Sequence, residues 1–180
     1  TKTQISPEFV DMASAFFKNL ASIAPTHILL GNHDVNLKND SRQDSITPII
    51  NALNLPNLYL HKYSGEISIN SQISLNVLSI IDEDKWAKPS NAEKINIGLY
   101  HGLLKGYGGG NKNYTIISNN SGSYSVTTSN TGKFSITDFK KANYDYVLFG
   151  DYHEHIYLDK DKKVWYAGSL IQQSRSEKYG

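Results

Sequence analysis

The sequence predicts a mixed α/β layered domain. Short apolar runs at 28–30, 95–100 and 146–149 each end in a turn bearing Gly and His or Asp. That is the look of buried strands delivering polar side chains to one sheet edge, where open α/β sheets hold their ligands. An amphipathic helical pattern precedes the first run. Segments 66–69 and 73–80 alternate polar and apolar residues, which reads as an antiparallel pair with one wet face.

The elements follow in order. Ser6 suits a helix N-cap, Pro7 the first helical position and Glu8 the positive end of the dipole. Phe9, Ala13, Phe16, Leu20 and Ile23 then recur at helical steps until Ala24-Pro25 ends the pattern. Residues 27–30 form a short strand, 35–45 a polar loop, and 46–55 a helix stopped by Pro56. Residues 58–60 read as a strand, and Asn70-Ser71 as the turn of the alternating pair. From 105 to 133 the composition shifts to Gly, Asn, Ser, Thr and Tyr, a polar loop or insertion with a short strand at 124–128. A short helix at 135–142 follows, and 156–158 and 164–167 flank a charged hairpin at 159–163.

Composition bounds the rest. A chain of 180 residues, 39% hydrophobic and 19% charged, supports one core rather than two domains or disorder. A net charge of +1 gives no global attraction to nucleic acid, so affinity for DNA has to come from a local patch. Cysteine is absent, which removes disulfides and thiolate metal sites and fits a reducing compartment. No run approaches the ~18 apolar residues of a membrane span, and no signal-peptide pattern opens the chain. The expected location is cytoplasmic, nucleoid or nuclear, not secreted. The chain starts without Met in what reads as a loop entering a helix, so a piece of a longer protein is expected.

Three stretches carry chemistry: Gly31-Asn32-His33-Asp34, His101-Gly102, and Asp151-Tyr152-His153-Glu154-His155. Asn offers a carbonyl to a hard cation, His a proton or a lone pair, and Asp a carboxylate that can orient a His. Each has a bland alternative. Asn and Asp favour turns on their own, and a lone strand-end His is usually structural. In extended backbone Asp151, His153 and His155 would share one face. Their occurrence in series argues for a divalent metal site. His61 reads as solvated, and His27 receives no role. Lys160, Lys162 and Lys163 read as a solvated tip that blunts an edge strand, with phosphate contact as the alternative. Tyr107, Tyr114 and Tyr124 either anchor their loop or stack on bases.

The order Gly31-Asn32-His33-Asp34, His101-Gly102 and Gly150-Asp151-Tyr152-His153 resembles the calcineurin-like metallophosphoesterase superfamily, whose corresponding motifs are Gly-Asn-His-Asp/Glu, a strand-ending His and Gly-His-x-His. The tail Tyr166-Ala167-Gly168-Ser169-Leu170-Ile171-Gln172-Gln173-Ser174 is similar to the segment after the last motif in SbcD-type nuclease subunits of DNA double-strand-break repair complexes, virus- and phage-encoded members included. Two departures stand out. The family's earlier Asp-x-His and Gly-Asp motifs do not occur ahead of residue 31, so an amino-terminally truncated domain is expected. Asp151 stands where the family has its first His, an exchange a hard ion such as Mn²⁺ tolerates, with His155 as a substitute.

The resemblance implies one partial metallophosphoesterase domain over 1–180, a layered α-β-β-α sandwich. It implies a hydrolase with two divalent ions, Mn²⁺ foremost and Mg²⁺ as the alternative. Asn32, His101 and Asp151 would ligate one ion and His153 would reach the other. His33 would protonate the leaving oxygen or stabilise the transition state, with Asp34 orienting it. The implied activity is exonuclease or endonuclease cleavage in DNA repair and recombination, by in-line attack of a metal-bound hydroxide. Implied partners are DNA, an SMC-like ATPase subunit and a second copy of the nuclease subunit. With three ligands missing, the isolated chain is expected to bind Mn²⁺ weakly and not to cleave DNA. A phosphatase or cyclic-nucleotide phosphodiesterase on the same fold, or a non-catalytic scaffold binding DNA or the ATPase, are the competing expectations.

Overall fold

In the computed structural model, residues 5–39, 42–105 and 132–172 are described. The first helix starts where its capping signal places it. Ser6 accepts a hydrogen bond from the Phe9 amide at 3.2 Å, Pro7 occupies the first turn, and α1 runs Pro7–Ile23. Its buried face differs from the expected one. Ala13 and Ala21 are buried and Phe9 and Phe17 pack inward, while Phe16 and Ile23 face solvent. Both rows obey the helical period. The helix is covered along a narrow stripe, which admits Ala13, Phe17 and Ala21 at steps of four and excludes the row beside it.

Strand β1 (Thr26–Leu29) pairs in parallel with β2 (Leu58–His61), and α2 (Thr47–Leu53) lies between them in sequence. Ala21, Leu30, Ile46, Ile50 and Leu58 form the core of this unit. Asp44 builds the entry to α2. Its buried carboxylate accepts from the Ile46 and Thr47 amides, the Thr47 hydroxyl and Lys62 Nζ at 2.7–3.0 Å. Burial pushes its pKa up, but these donors outweigh that and hold it below the usual carboxylate value.

The larger sheet has six strands in the order β3-β4-β5-β6-β8-β7. They are β3 (Gly65–Ser68), β4 (Ile73–Leu78), β5 (Ile95–His101), β6 (Tyr146–Gly150), β7 (Ile156–Tyr157) and β8 (Val164–Tyr166). Strands β4, β5, β6 and β8 run parallel, with β3 and β7 antiparallel at the edges. One face packs Leu78, Tyr100, Val147, Phe149, Val164 and Tyr166 against Leu104 and Phe139, the latter from α3 (Ile136–Lys141). Truncating a side chain such as Phe149, 1% exposed, to Ala costs ~3–5 kcal/mol.

The alternating pair of strands is present, and Glu66 and Ser68 of β3 are exposed as expected, but the polar residues of β4 are not on a wet face. Ser74 and Asn76 are buried. Ser74 donates to Asn96 Oδ1 at 2.6 Å, and the Asn96 amide group donates to the carbonyls of Asn91 and Lys94. Ser74 turns inward because the neighbouring strand supplies a partner for it, whereas Asn76 Nδ2 is buried with no hydrogen bond. The 105–133 insertion, its short strand and its tyrosines lie largely outside the described residues. Among the described residues no helix is long and apolar enough to cross a membrane.

Candidate metal centre

Parallel pairing aligns the strand ends that matter. His101 lies in register with Gly150 across β5 and β6, and Phe149 with Tyr166 across β6 and β8. These strands therefore deliver His101, Asp151 and the 167–169 segment to one edge. The smaller sheet meets that edge through the turn after β1. Asp34 closes this turn: its Oδ2 accepts from the Gly31 amide at 2.8 Å, its own amide donates to the Gly31 carbonyl at 3.0 Å, and its carbonyl accepts from Ser45 N at 3.0 Å. The Asp34 carboxylate thus shapes the turn that carries Asn32 and His33, and it reaches His33 through the backbone.

Two glycines make room for His101. A Cβ on Gly31 would stand 2.8 Å from its Cε1 and Nε2, and one on Gly150 would stand 2.7 Å from its Nδ1. The imidazole fills the space that both residues leave empty. His101 Nε2 is buried without a hydrogen-bond partner, and Asp151 Oδ1 lies 3.7 Å from it, beyond hydrogen-bond length. The same oxygen accepts from Asn32 Nδ2 at 3.1 Å. Amide, imidazole and carboxylate from three separate stretches converge there.

Burial, above all, lowers the His101 pKa, and the carboxylates of Asp151 and Asp34 oppose it while His33 and His153 reinforce it. The ring is held neutral, the form in which imidazole offers a lone pair. These same neighbours show that His33, Asp34 and His153 lie within electrostatic reach of His101.

The 151–155 segment corrects the expectation of an extended, one-faced triplet. Asp151 takes a left-handed φ of 92°, which turns the chain off the strand line and breaks the alternation. His155 consequently stacks edge-on with Tyr157, ring centroids 4.9 Å apart, rather than joining Asp151. His153 is positioned by the tail: its carbonyl accepts from Ser169 N at 2.9 Å and Ser169 Oγ at 3.2 Å. Gly168, at φ 79°, permits the approach, since a Cβ there would lie 2.9 Å from His155 N.

Among the described residues no group of three or more His, Asp or Glu side chains is arranged to hold a metal ion. Asn32 supplies the third donor here. An orphaned buried imidazole nitrogen beside a carboxylate and an amide is a donor set that suits one hard or borderline divalent ion, so these residues fit the group that the motifs imply. In the present arrangement Asn32 directs its NH₂ at Asp151; ligation uses its carbonyl oxygen.

Sequence reasoning missed a histidine pair. His61 is half-buried, not solvated, and its Nε2 lies 2.8 Å from His27 Nδ1. The signal was parallel pairing, which sets His61 opposite Leu29, two residues along the same face from His27. Also missed were buried Asp82 and the cleft it borders. Asp82 stands between ordinary loop residues, and only the fold brings Ser64 to it.

No protein-family model matches the chain. An uncharacterized protein of Acanthamoeba polyphaga mimivirus is 35% identical over 187 residues, an alignment covering 98% of this chain. The chain spans 13% of that relative's length.

Proposed function

We propose that this chain carries part of the centre of a metal-dependent phosphodiesterase acting on DNA. The observation that supports it most is the meeting of Asn32, His101 and Asp151 at one sheet edge, with His101 Nε2 buried and unpartnered. The finer architecture proposed is the layered metallophosphoesterase sandwich, in which the β1–β2 pair and the six-stranded sheet are the facing layers.

In this reading Asn32, His101 and Asp151 hold one ion and His153 reaches a second, with Mn²⁺ the expected metal. Bound divalent ions neutralise phosphodiester charge and activate water near neutral pH. The protein's own residues do the rest. Gly31 and Gly150 clamp the His101 ring so that Nε2 faces Asp151. Asp34 fixes the turn that presents His33, whose exposed imidazole hydrogen-bonds to or protonates the leaving oxygen. Ser169 holds the His153 backbone, which gives the nuclease-like tail a role at the centre rather than beside it. DNA as substrate, an SMC-like ATPase partner and pairing with a second copy follow from the resemblance of that tail and belong to the same proposal.

Titration of this chain with Mn²⁺, and cleavage assays of the full-length protein on DNA ends and on small phosphoesters, test the reading. Mn²⁺ binding lost in His101→Ala and Asp151→Ala supports it. Preference for small phosphoesters would make the protein a phosphatase, and equal binding by the variants would remove the centre.

A further inference from the structure

The turn that carries Asn32 continues into the wall of a cavity of about 420 Å³, a size that suits small-molecule and cofactor-sized ligands. Leu37, Tyr63 and Ile81 give it an apolar side. Arg42, Lys62 and Lys85 give it cations, and Asp82 and Asp84 anions. Lys62 is committed to Asp44 at 3.0 Å, so Arg42 and Lys85, both exposed, are the cations at the rim.

Asp82 is the feature that asks for a ligand. It is 6% exposed, and its Oδ1 accepts from the amide and hydroxyl of Ser64 at 2.9 and 2.7 Å. Its Oδ2 is buried with no hydrogen bond. The nearest cation, Lys85 on the same cavity wall, stands 4.0 Å from Oδ2, too far to satisfy it. Buried carboxylate oxygens ordinarily have donors, and one that lacks them beside a cavity marks a place for a donor on something bound. A bare anion would supply no such donor and would meet Asp82 and Asp84. A purely apolar ligand would leave the cations unused.

We propose that the cavity seats one nucleotide unit. Its base lies against Leu37, Tyr63 and Ile81, a base amine or sugar hydroxyl donates to Asp82 Oδ2, and its phosphate meets Arg42 and Lys85. Asp82 is then a specificity-determining residue. The link to catalysis rests on the phosphodiesterase reading of the neighbouring centre, because residues 31–37 serve both; the binding itself does not.

The test uses the protein in EDTA, where the metal centre makes no contribution, and a separate Mn²⁺ titration reports on that centre. The probe is a fluorescein-labelled mixed-sequence single strand of about 15 nucleotides, read by anisotropy, with adenosine monophosphate and inorganic phosphate as competitors. Binding is expected, weakened about tenfold or more in Arg42→Ala/Lys85→Ala, with the salt slope reduced by about 0.7 for the one phosphate no longer neutralised. Asp82→Asn, which keeps the shape, is expected to weaken binding at least about threefold, as loss of a charge-assisted bond does. Circular dichroism checks that each variant is folded, and Lys85→Ala alone replaces the double variant where it is not. Competition by adenosine monophosphate identifies a free nucleotide as sufficient, whereas strand binding without it identifies nucleic acid as the source. No strand or nucleotide binding, wild-type affinity in the variants, or inorganic phosphate competing as well as adenosine monophosphate would overturn the proposal.

Discussion

Asn32 donates its side-chain amide to Asp151 Oδ1 at 3.1 Å across 119 positions of sequence. That bond joins the turn after β1 to the loop after β6, so the two sheets meet where the His101 ring is clamped.

Gly31→Ala pushes a methyl group to 2.8 Å from the His101 ring. Overpacking of this kind costs ~1–3 kcal/mol. The expected outcome is a lower Tm together with weaker Mn²⁺ binding, because the ring has to move. Thermal melts and metal titration on the same sample check both effects.

Asp151 holds a left-handed φ that glycine adopts freely and alanine does not. Asp151→Gly and Asp151→Ala should lose Mn²⁺ binding alike. The glycine variant should be the more stable of the two by ~1–2 kcal/mol. Equal melting temperatures would mean that the backbone at 151 is relaxed.

In the full-length protein, His33→Ala should cut phosphodiester turnover by ~10²–10⁴ while leaving bound metal unchanged. Elemental analysis beside a DNA cleavage assay separates the two effects. Loss of metal would make His33 a ligand.

Asp44→Ala removes the acceptor for two amides, a hydroxyl and Lys62. Loss of a buried, multiply bonded carboxylate costs ~3–5 kcal/mol. The expected result is a large drop in the denaturant midpoint, with Asp44→Asn losing less.

The His27–His61 pair makes stability depend on pH. Desolvation lowers both pKa values, and repulsion from His27 lowers that of His61 further, below the ordinary 6.5. The unfolded chain then binds more protons than the folded one just below that value, so stability falls as pH drops through it and levels off under the folded pKa values. His61→Gln should flatten this slope in denaturation measured from pH 7 downwards.

The fold was legible where local chemistry decides it. Ser6, Pro7 and Glu8 signal the start of α1, and the apolar runs before Gly31, His101 and Gly150 are strands whose ends converge. It was not legible where the answer lies with a distant partner. Whether Phe16 or Phe17 turns inward depends on what covers α1, and Ser74 is buried where Asn96 on the next strand accepts its hydroxyl. The positive φ of Asp151 cannot be read from its residue type, and it separates His155 from Asp151 despite their spacing. His27 with His61, and Ser64 with Asp82, are meetings that only strand pairing and loop packing produce.

Paramagnetic line broadening by Mn²⁺, observed on side-chain NMR signals of the isotope-labelled protein, tests the metal centre most directly. Substoichiometric Mn²⁺ should broaden His101, Asn32 and Asp151 most, with His153 beside them, and the more distant His27–His61 pair less. Broadening that spares His101, or that spreads evenly over all histidines, would contradict a centre at this sheet edge.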